Sequence, residues 1–271
     1  MNIKIIVAAH TKYKMPEDSI YLPLHVGAEG KTDGEGHPLD LGYTKDNTGD
    51  NISGKNPYFC ELTGMYWAWK NLQADYLGLV HYRRYFKGKG KGDDPFDKVL
   101  TKEELTPLLS HYAVLVPSKR HYYIENLYSH YAHTFFAEHL DRSRNIIEKL
   151  HPEYIPAFDQ VMKQTSGYMF NMMIMRKDLW DQYCSWLFSI LFELEKQCPP
   201  DGLSSFHQRF YGRVSEILFN VWLNKQIESG KLKKDEIKEL PYIYMEKIDW
   251  PRKIYSFLMA KFFHVKYEKS F

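Results

Sequence analysis

An apolar run that stops abruptly on a polar cluster limits what this chain can fold into. Tyr76-Leu77-Gly78-Leu79-Val80 has the composition of a strand buried on both faces of a parallel sheet. It runs directly into His81-Tyr82-Arg83-Arg84-Tyr85-Phe86. In open α/β sheets, ligands collect at the carboxyl ends of the strands, so this cluster is a site candidate. Two adjacent guanidiniums suit a diphosphate, because each offers a planar fork of donors matched to phosphate oxygens. The flanking tyrosines add stacking faces and hydroxyls fit for a sugar or a base. A strand end with solvated arginines and packed aromatics has the same composition, so residue types leave both readings open.

The totals fit one large α/β domain or two small ones. The chain has 271 residues, 44% hydrophobic and 26% charged, with a formal net charge of +2. That charge gives no reason to expect nucleic acid as a partner. The 21 tyrosines suit carbohydrate as well as core packing. Cys60, Cys184 and Cys198 have no metal-ligand spacing and leave one thiol over in any disulfide scheme, a pattern expected of the cytoplasm. Met1 to His10 turns polar too soon for a signal peptide, and no stretch approaches the roughly 20 apolar residues of a membrane span.

Along the chain, strand-like runs alternate with helical patterns, which argues for a mostly parallel sheet. A first strand is expected over Asn2–Ala9, ending at His10. Gly27 to Gly54 reads as long loops. A helix is expected over Tyr58–Leu72, opened by Asn56-Pro57 and burying Leu62, Met65, Tyr66, Trp69 and Leu72. Thr101-x-x-Glu104 matches a capping box opening a helix to about Ser110, and Ala113–Pro117 reads as a second buried strand. Helices follow over Ile124–Ala137, Asp141–Leu150 and Pro156–Lys163, then a strand over Tyr168–Met175. Helices over Lys177–Lys196 and Phe206–Ile227 complete the body. From Trp250 to Phe271, basic residues interleave with Ile254, Phe257, Leu258, Phe262 and Val265. That pattern makes a basic amphipathic helix, fit either for an anionic membrane surface or for packing on the parent domain.

Three further constellations can carry chemistry. Lys55 and Asn56 precede a helix, where backbone N–H groups and the helix dipole favour an anion, and Glu61 follows on the same segment. Asn171 interrupts the apolar run Tyr168–Met175, so it needs a hydrogen-bonding partner, either a ligand hydroxyl or a neighbouring group. Glu216 lies near the start of an apolar helix led by Arg209-Phe210-Tyr211-Gly212-Arg213. A desolvated glutamate there suits a general base, and an exposed one suits the helix dipole. The histidines, including His130 and His133, form no convincing metal set. No Walker A loop, G-x-S-x-G elbow or G-x-G-x-x-G is present.

Four segments together carry a family resemblance. They are Val7-Ala8-Ala9-His10 with Tyr21–Gly27, Asp50-Asn51-Ile52-Ser53 with Asn56 and Cys60-Glu61-Leu62-Thr63, His81–Phe86, and Phe170-Asn171-Met172. The chain resembles, from its first strand to about Gln226, the bacterial capsular- and exopolysaccharide-synthesis proteins long catalogued as a domain of unknown function. Members are understood as glycosyltransferases, galactofuranosyltransferases among them. The resemblance implies a GT-A-like, Rossmann-type α/β fold. In it a mostly parallel sheet is flanked by helices, with a helical acceptor-side region, here one domain over 1–249 with a tail at 250–271. It implies a UDP-sugar donor and a lipid-linked saccharide acceptor; with the cysteine usage and the basic tail, a cytoplasmic protein that can touch the membrane through that tail is expected. Donor contacts fall to Ala8, Ala9, His10, Lys55, Asn56, His81, Tyr82, Arg83 and Arg84, and acceptor or sugar contacts to Tyr85, Asn171 and Arg209. Order along the chain puts Glu216 where inverting members of the fold keep their base, with Glu61 as second choice. Such folds usually end the central strand in an Asp-x-Asp that holds a divalent metal. Here His81-Tyr82-Arg83-Arg84 stands instead, so arginine is expected in place of the cation, with no cofactor assigned and His81 the one side chain there able to ligate a metal. A noncatalytic nucleotide- or sugar-binding module, or a sugar-phosphate transferase, would keep the same arginines. The first would not need Glu216 or Glu61, and the second would need a nucleophile or metal set.

Overall fold

The computed structural model describes residues 1–246, 249–263 and 265–267. They form two compact units that interleave along the chain. The first comprises Met1–Ser118, Phe170–Cys184 and Lys233–Glu246, and the second Lys119–Met169, Ser185–Leu232 and Lys247–Phe271.

The first unit is built on a mixed sheet. Its strands are β1 (Ile3–Ala9), β2 (Tyr21–His25), β3 (Thr44–Lys45), β4 (Tyr76–His81), β5 (Arg84–Phe86) and β6 (Val114–Pro117). The second unit contributes a separate small pair, β7 (Arg120–His121) and β8 (Ser166–Gly167), and β9 (Met173–Arg176), β10 (Ile237–Leu240) and β11 (Tyr242–Tyr244) complete the first. The main path runs β10-β6-β9-β4-β1-β2-β3. On it β9 alone opposes its neighbours, being antiparallel to both β4 and β6, while β1–β2, β1–β4, β2–β3 and β10–β6 are parallel. The expected α/β architecture with a mostly parallel sheet is therefore what forms. β4 is central because nothing in it resists burial: Tyr76 to Val80 are all buried. Gly78 has a packing reason, since a Cβ there would come within 2.9 Å of Ile174 in β9 and 3.2 Å of Ile5 in β1.

Helices α1 (Asn56–Phe59), α2 (Leu62–Asn71) and α3 (Lys102–Leu109) belong to this unit. The expected Tyr58–Leu72 helix is broken at Cys60, whose φ of 53° is left-handed. The Asn56 amide donates to the Cys60 carbonyl at 2.8 Å and so terminates α1 after four residues. The capping box on α3 forms as expected, with the Glu104 N–H on Thr101 Oγ1 and the Thr101 N–H on Glu104 Oε2 at 3.0 Å.

In the second unit lie α4 (Leu127–Thr134), α5 (Glu138–Leu150), α6 (Ile155–Met162), α8 (Phe210–Glu228) and α9 (Trp250–Phe263), with the later part of α7 (Lys177–Gln197). The sequence located these helices to within a few residues, and α9 covers the first part of the expected amphipathic tail, whose residues 268–271 lie outside the described ones. The expected Tyr168–Met175 strand does not form as one piece. Phe170 and Asn171 have φ of 75° and 51°, and two successive left-handed residues interrupt the extended chain ahead of β9.

Candidate active site

At the carboxyl ends of the parallel strands of the first unit, imidazole, phenol and guanidinium groups converge. Ala8 pairs with His81 across β1 and β4, which sets His10 beside the His81–Arg84 turn. The rings of Tyr13 and Tyr82 stack at 3.6 Å, with the His10 ring edge-on to Tyr82 at 5.4 Å. Burial pushes the Tyr82 phenol far above its ordinary range, so it remains a neutral hydroxyl. His25 closes the end of β2, and burial lowers its pKa, which keeps a neutral imidazole inside the sheet.

The two arginines are held differently. Arg83 pairs with Glu246, Nε to Oε2 at 3.2 Å, and lies 5.0 Å from the Tyr82 ring. Arg84 is clamped between aromatic faces, its Cζ 4.4 Å from the Phe170 ring and 5.3 Å from that of Tyr244. Its Nε is shielded from solvent without a hydrogen-bond acceptor among the described residues. A buried guanidinium N–H in that state favours an incoming anion, since an unmet donor to a charged partner is costly. The clamp depends on β11, which pairs with β5 and brings Tyr244 opposite Arg84.

Asn171 and Glu61, separated by 110 positions, meet in this unit: the Asn171 amide donates to Glu61 Oε1 at 2.7 Å. Asn171 is 2% exposed, so the partner its burial required is a carboxylate. Behind Glu61 the loop is held by Asp46, a fully buried carboxylate that accepts from the Gly27 and Ala28 N–H groups, from the Thr63 hydroxyl at 2.7 Å, and from the Ser53 hydroxyl. Gly27 is required there, with φ of 69° and no room for a Cβ, which would lie 2.5 Å from the Asn56 side chain.

Several expected contact residues have other employment. Ala8 and Ala9 are buried in β1, and their carbonyls accept from the Tyr82 and Val26 N–H groups, which leaves His10 as the exposed residue of that strand end. Asn56 spends its amide on the Cys60 carbonyl and Thr63 Oγ1, so it braces the turn between α1 and α2. Tyr85 is a core residue, fully buried against Tyr21 and Phe96, and its ring fills the interior where sugar contact was expected. Lys55 stands 6.0 Å from the Phe59 ring. In the second unit, Arg209 is exposed just ahead of α8, and Glu216 is half-buried in the second turn of that helix. Arg213, one turn before Glu216, lies against Phe135 at 4.2 Å and Phe206 at 4.0 Å.

Sequence reasoning missed Tyr13, Phe170, Tyr244 and Glu246 as site residues. The alternation Tyr242-Ile243-Tyr244 before Met245-Glu246 was the available signal, a short strand too brief to stand out alone. The end of β4 carries one imidazole, His81, and two guanidiniums, Arg83 and Arg84, and no carboxylate pair. Among the described residues no group of three or more His, Cys, Asp or Glu is placed to hold a metal ion.

The chain matches, over residues 4–227, the family described as a domain of unknown function, DUF4422. No curated protein matches it. Among solved structures, it is similar to the apo form of WbbM, a bifunctional glycosyltransferase, with a TM-score of 0.82 and 32% sequence identity. The similarity covers 91% of this chain and 46% of that one, so the chain spans just under half the length of its structural relative.

Proposed function

The chain belongs to the DUF4422 family, and from its site we propose that it is a glycosyltransferase using a UDP-sugar donor. The proposed acceptor is a lipid-linked saccharide of a capsular, exopolysaccharide or O-antigen chain, and galactofuranose is a candidate sugar. Likeness to a glycosyltransferase over nine-tenths of the chain supports the reaction class. The observation that carries the donor assignment is Arg84, a guanidinium fixed by two aromatic faces with a buried N–H lacking an acceptor among the described residues, at the carboxyl end of the central strand.

In this reading Arg84 and Arg83 bind the diphosphate, and Arg83 exchanges Glu246 for phosphate oxygens. The stacked Tyr13 and Tyr82, with His10, offer a face for the base. The acceptor hydroxyl attacks the anomeric carbon as the bond from that carbon to the diphosphate oxygen breaks. UDP departs with the bonding pair, and the acceptor proton passes to a carboxylate. Negative charge grows on the leaving oxygen, which fixed guanidiniums stabilise most when water is excluded. Glu216 is the proposed base and the outcome is inversion. Glu61 is the alternative, already aligned by Asn171. The protein would work at the cytoplasmic side of a membrane, where lipid-linked acceptors are extended.

The test is UDP release from a panel of UDP-sugars with and without a polyprenyl-linked saccharide. Release that depends on acceptor is expected. Release from no donor, or release indifferent to acceptor, would contradict transfer.

A further inference from the structure

Among the described residues, ten large apolar or aromatic side chains stand out as exposed, and eight of them fall in two segments of the second unit. Tyr123 and Ile124 form one segment. Ile254, Tyr255, Leu258, Phe262, Phe263 and Val265 form the other, on and just after α9. Chain position does not separate these segments in space: the Lys261 ammonium donates to the Ile124 carbonyl at 2.9 Å and lies 3.9 Å from Glu125.

The helix shows two distinct sides. Ala260 is buried, Phe257 faces the His130 ring of α4 at 5.7 Å, and Lys261 is pinned as described. Just beyond the helix, Lys266 donates to the carbonyls of Ala132 and Phe135. Positions 254, 258 and 262, four residues apart, form an exposed row alongside the packed stripe, with 255 beside them. Each is more than two-fifths exposed, and Phe263 reaches 68%. A docked helix that turns apolar and aromatic groups outward has a use for them, because isolated exposure is ordinary but a contiguous patch is not. Tyr123 adds to the patch at 83% exposure from a left-handed backbone position, φ 54°, which an aromatic residue seldom takes without cause.

We propose that this face seats the protein on an anionic membrane surface, with α9 lying in the interfacial plane. Charge favours this occupant: residues 250–267 include four basic residues and no acidic one, and although Lys261 and Lys266 are held on backbone carbonyls, the segment as a whole stays cationic. Apolar and aromatic side chains beside basic ones are the composition that enters the boundary between headgroups and acyl chains. No helix among the described residues is long and apolar enough to cross a membrane, so the contact would lie along the surface. The inference stands apart from the transferase reading, since it uses none of the proposed donor or catalytic residues.

Flotation of the full chain with vesicles tests it, comparing phosphatidylcholine alone with phosphatidylcholine plus phosphatidylglycerol. The chain should float with the anionic vesicles and do so less at high salt. Leu258→Asp with Phe262→Asp should lower partitioning by about tenfold or more, the loss set by withdrawing two buried apolar groups. Tyr123→Ser with Ile124→Ser, in a loop outside α9, should lower it as well with an unchanged melting temperature, which separates lost contact from lost folding. No flotation, or flotation indifferent to both pairs, would overturn the proposal. So would light scattering that shows a dimer dissolved by either pair without vesicle binding, which would give the face to a second copy.

Discussion

Arg84 lies 4.4 Å from one aromatic face and 5.3 Å from another, a setting that holds charge, plane and direction together. Lysine cannot reproduce this, since an ammonium has neither the plane nor the fork. Arg84→Lys and Arg84→Gln should each weaken UDP binding, the second by about ten- to a hundredfold if a charge-assisted hydrogen bond is lost. Titration calorimetry would measure it, and unchanged affinity would remove Arg84 from the donor site. Glu216→Gln should lower turnover by about 10²–10⁴ and leave UDP binding intact, the loss typical of a missing general base. If Glu61→Gln shows that loss and Glu216→Gln does not, the base is Glu61. At this scale the sequence was partly legible. It announced the His81–Arg84 cluster, and it announced that Asn171 needed a partner. It did not say that the partner was Glu61, because no local pattern links residues 110 apart. Tyr85 misled for a related reason: adjacency to Arg84 put it in the cluster, but in β5 successive side chains point to opposite faces.

The elements that position these residues rest on buried polar groups whose loss should be measurable. Asp46 accepts from two backbone N–H groups and two hydroxyls with no access to water. Asp46→Ala leaves the Gly27 and Ala28 N–H groups and the Ser53 hydroxyl unmet, while Thr63 keeps the Cys60 carbonyl, and a loss on the order of 3 kcal/mol is expected in urea unfolding. A loss near zero would show that the loop is not held there. In the second unit His139 is sandwiched on Phe210 at 3.8 Å and faces the Tyr131 hydroxyl at 3.1 Å. Burial lowers its pKa from 6.5 to about 4, so folding favours the neutral ring. Its contribution is therefore full above pH 6.5 and is lost as pH falls through 4, amounting to on the order of 3 kcal/mol. His139→Phe should flatten the acid limb of stability in that window by about one proton, and an unchanged limb would show that His139 does not carry it. Helix starts such as the Thr101–Glu104 box were legible because the signal is local. The break at Cys60 and the interruption at Phe170-Asn171 were not, because neither site carries the glycine that usually marks left-handed backbone.

For the whole molecule, alternation of apolar runs and helical periodicity was enough to expect a mostly parallel α/β sheet. The strand that runs against it, β9, was hidden because a buried strand reads the same in either direction. β10 and β11 were hidden for a different reason: the edge strand Ile237-Lys238-Glu239-Leu240 carries two exposed charges, which suit an edge and obscure the apolar pattern. The interleaving of two units could not be read from composition, since no linker-like stretch marks the points where the chain passes between them. Similarity over 91% of the chain to a glycosyltransferase makes nucleotide-sugar binding the central claim, and arginine in place of a metal pair its most specific part. The direct test is thermal stabilisation by UDP against ADP, GDP and phosphate, with manganese and with a chelator, because a ligand of the folded state raises the melting temperature by mass action. The account predicts a UDP-selective shift that persists in chelator and is lost in Arg84→Gln. No shift with any nucleotide, or a shift that appears only with manganese, would contradict it.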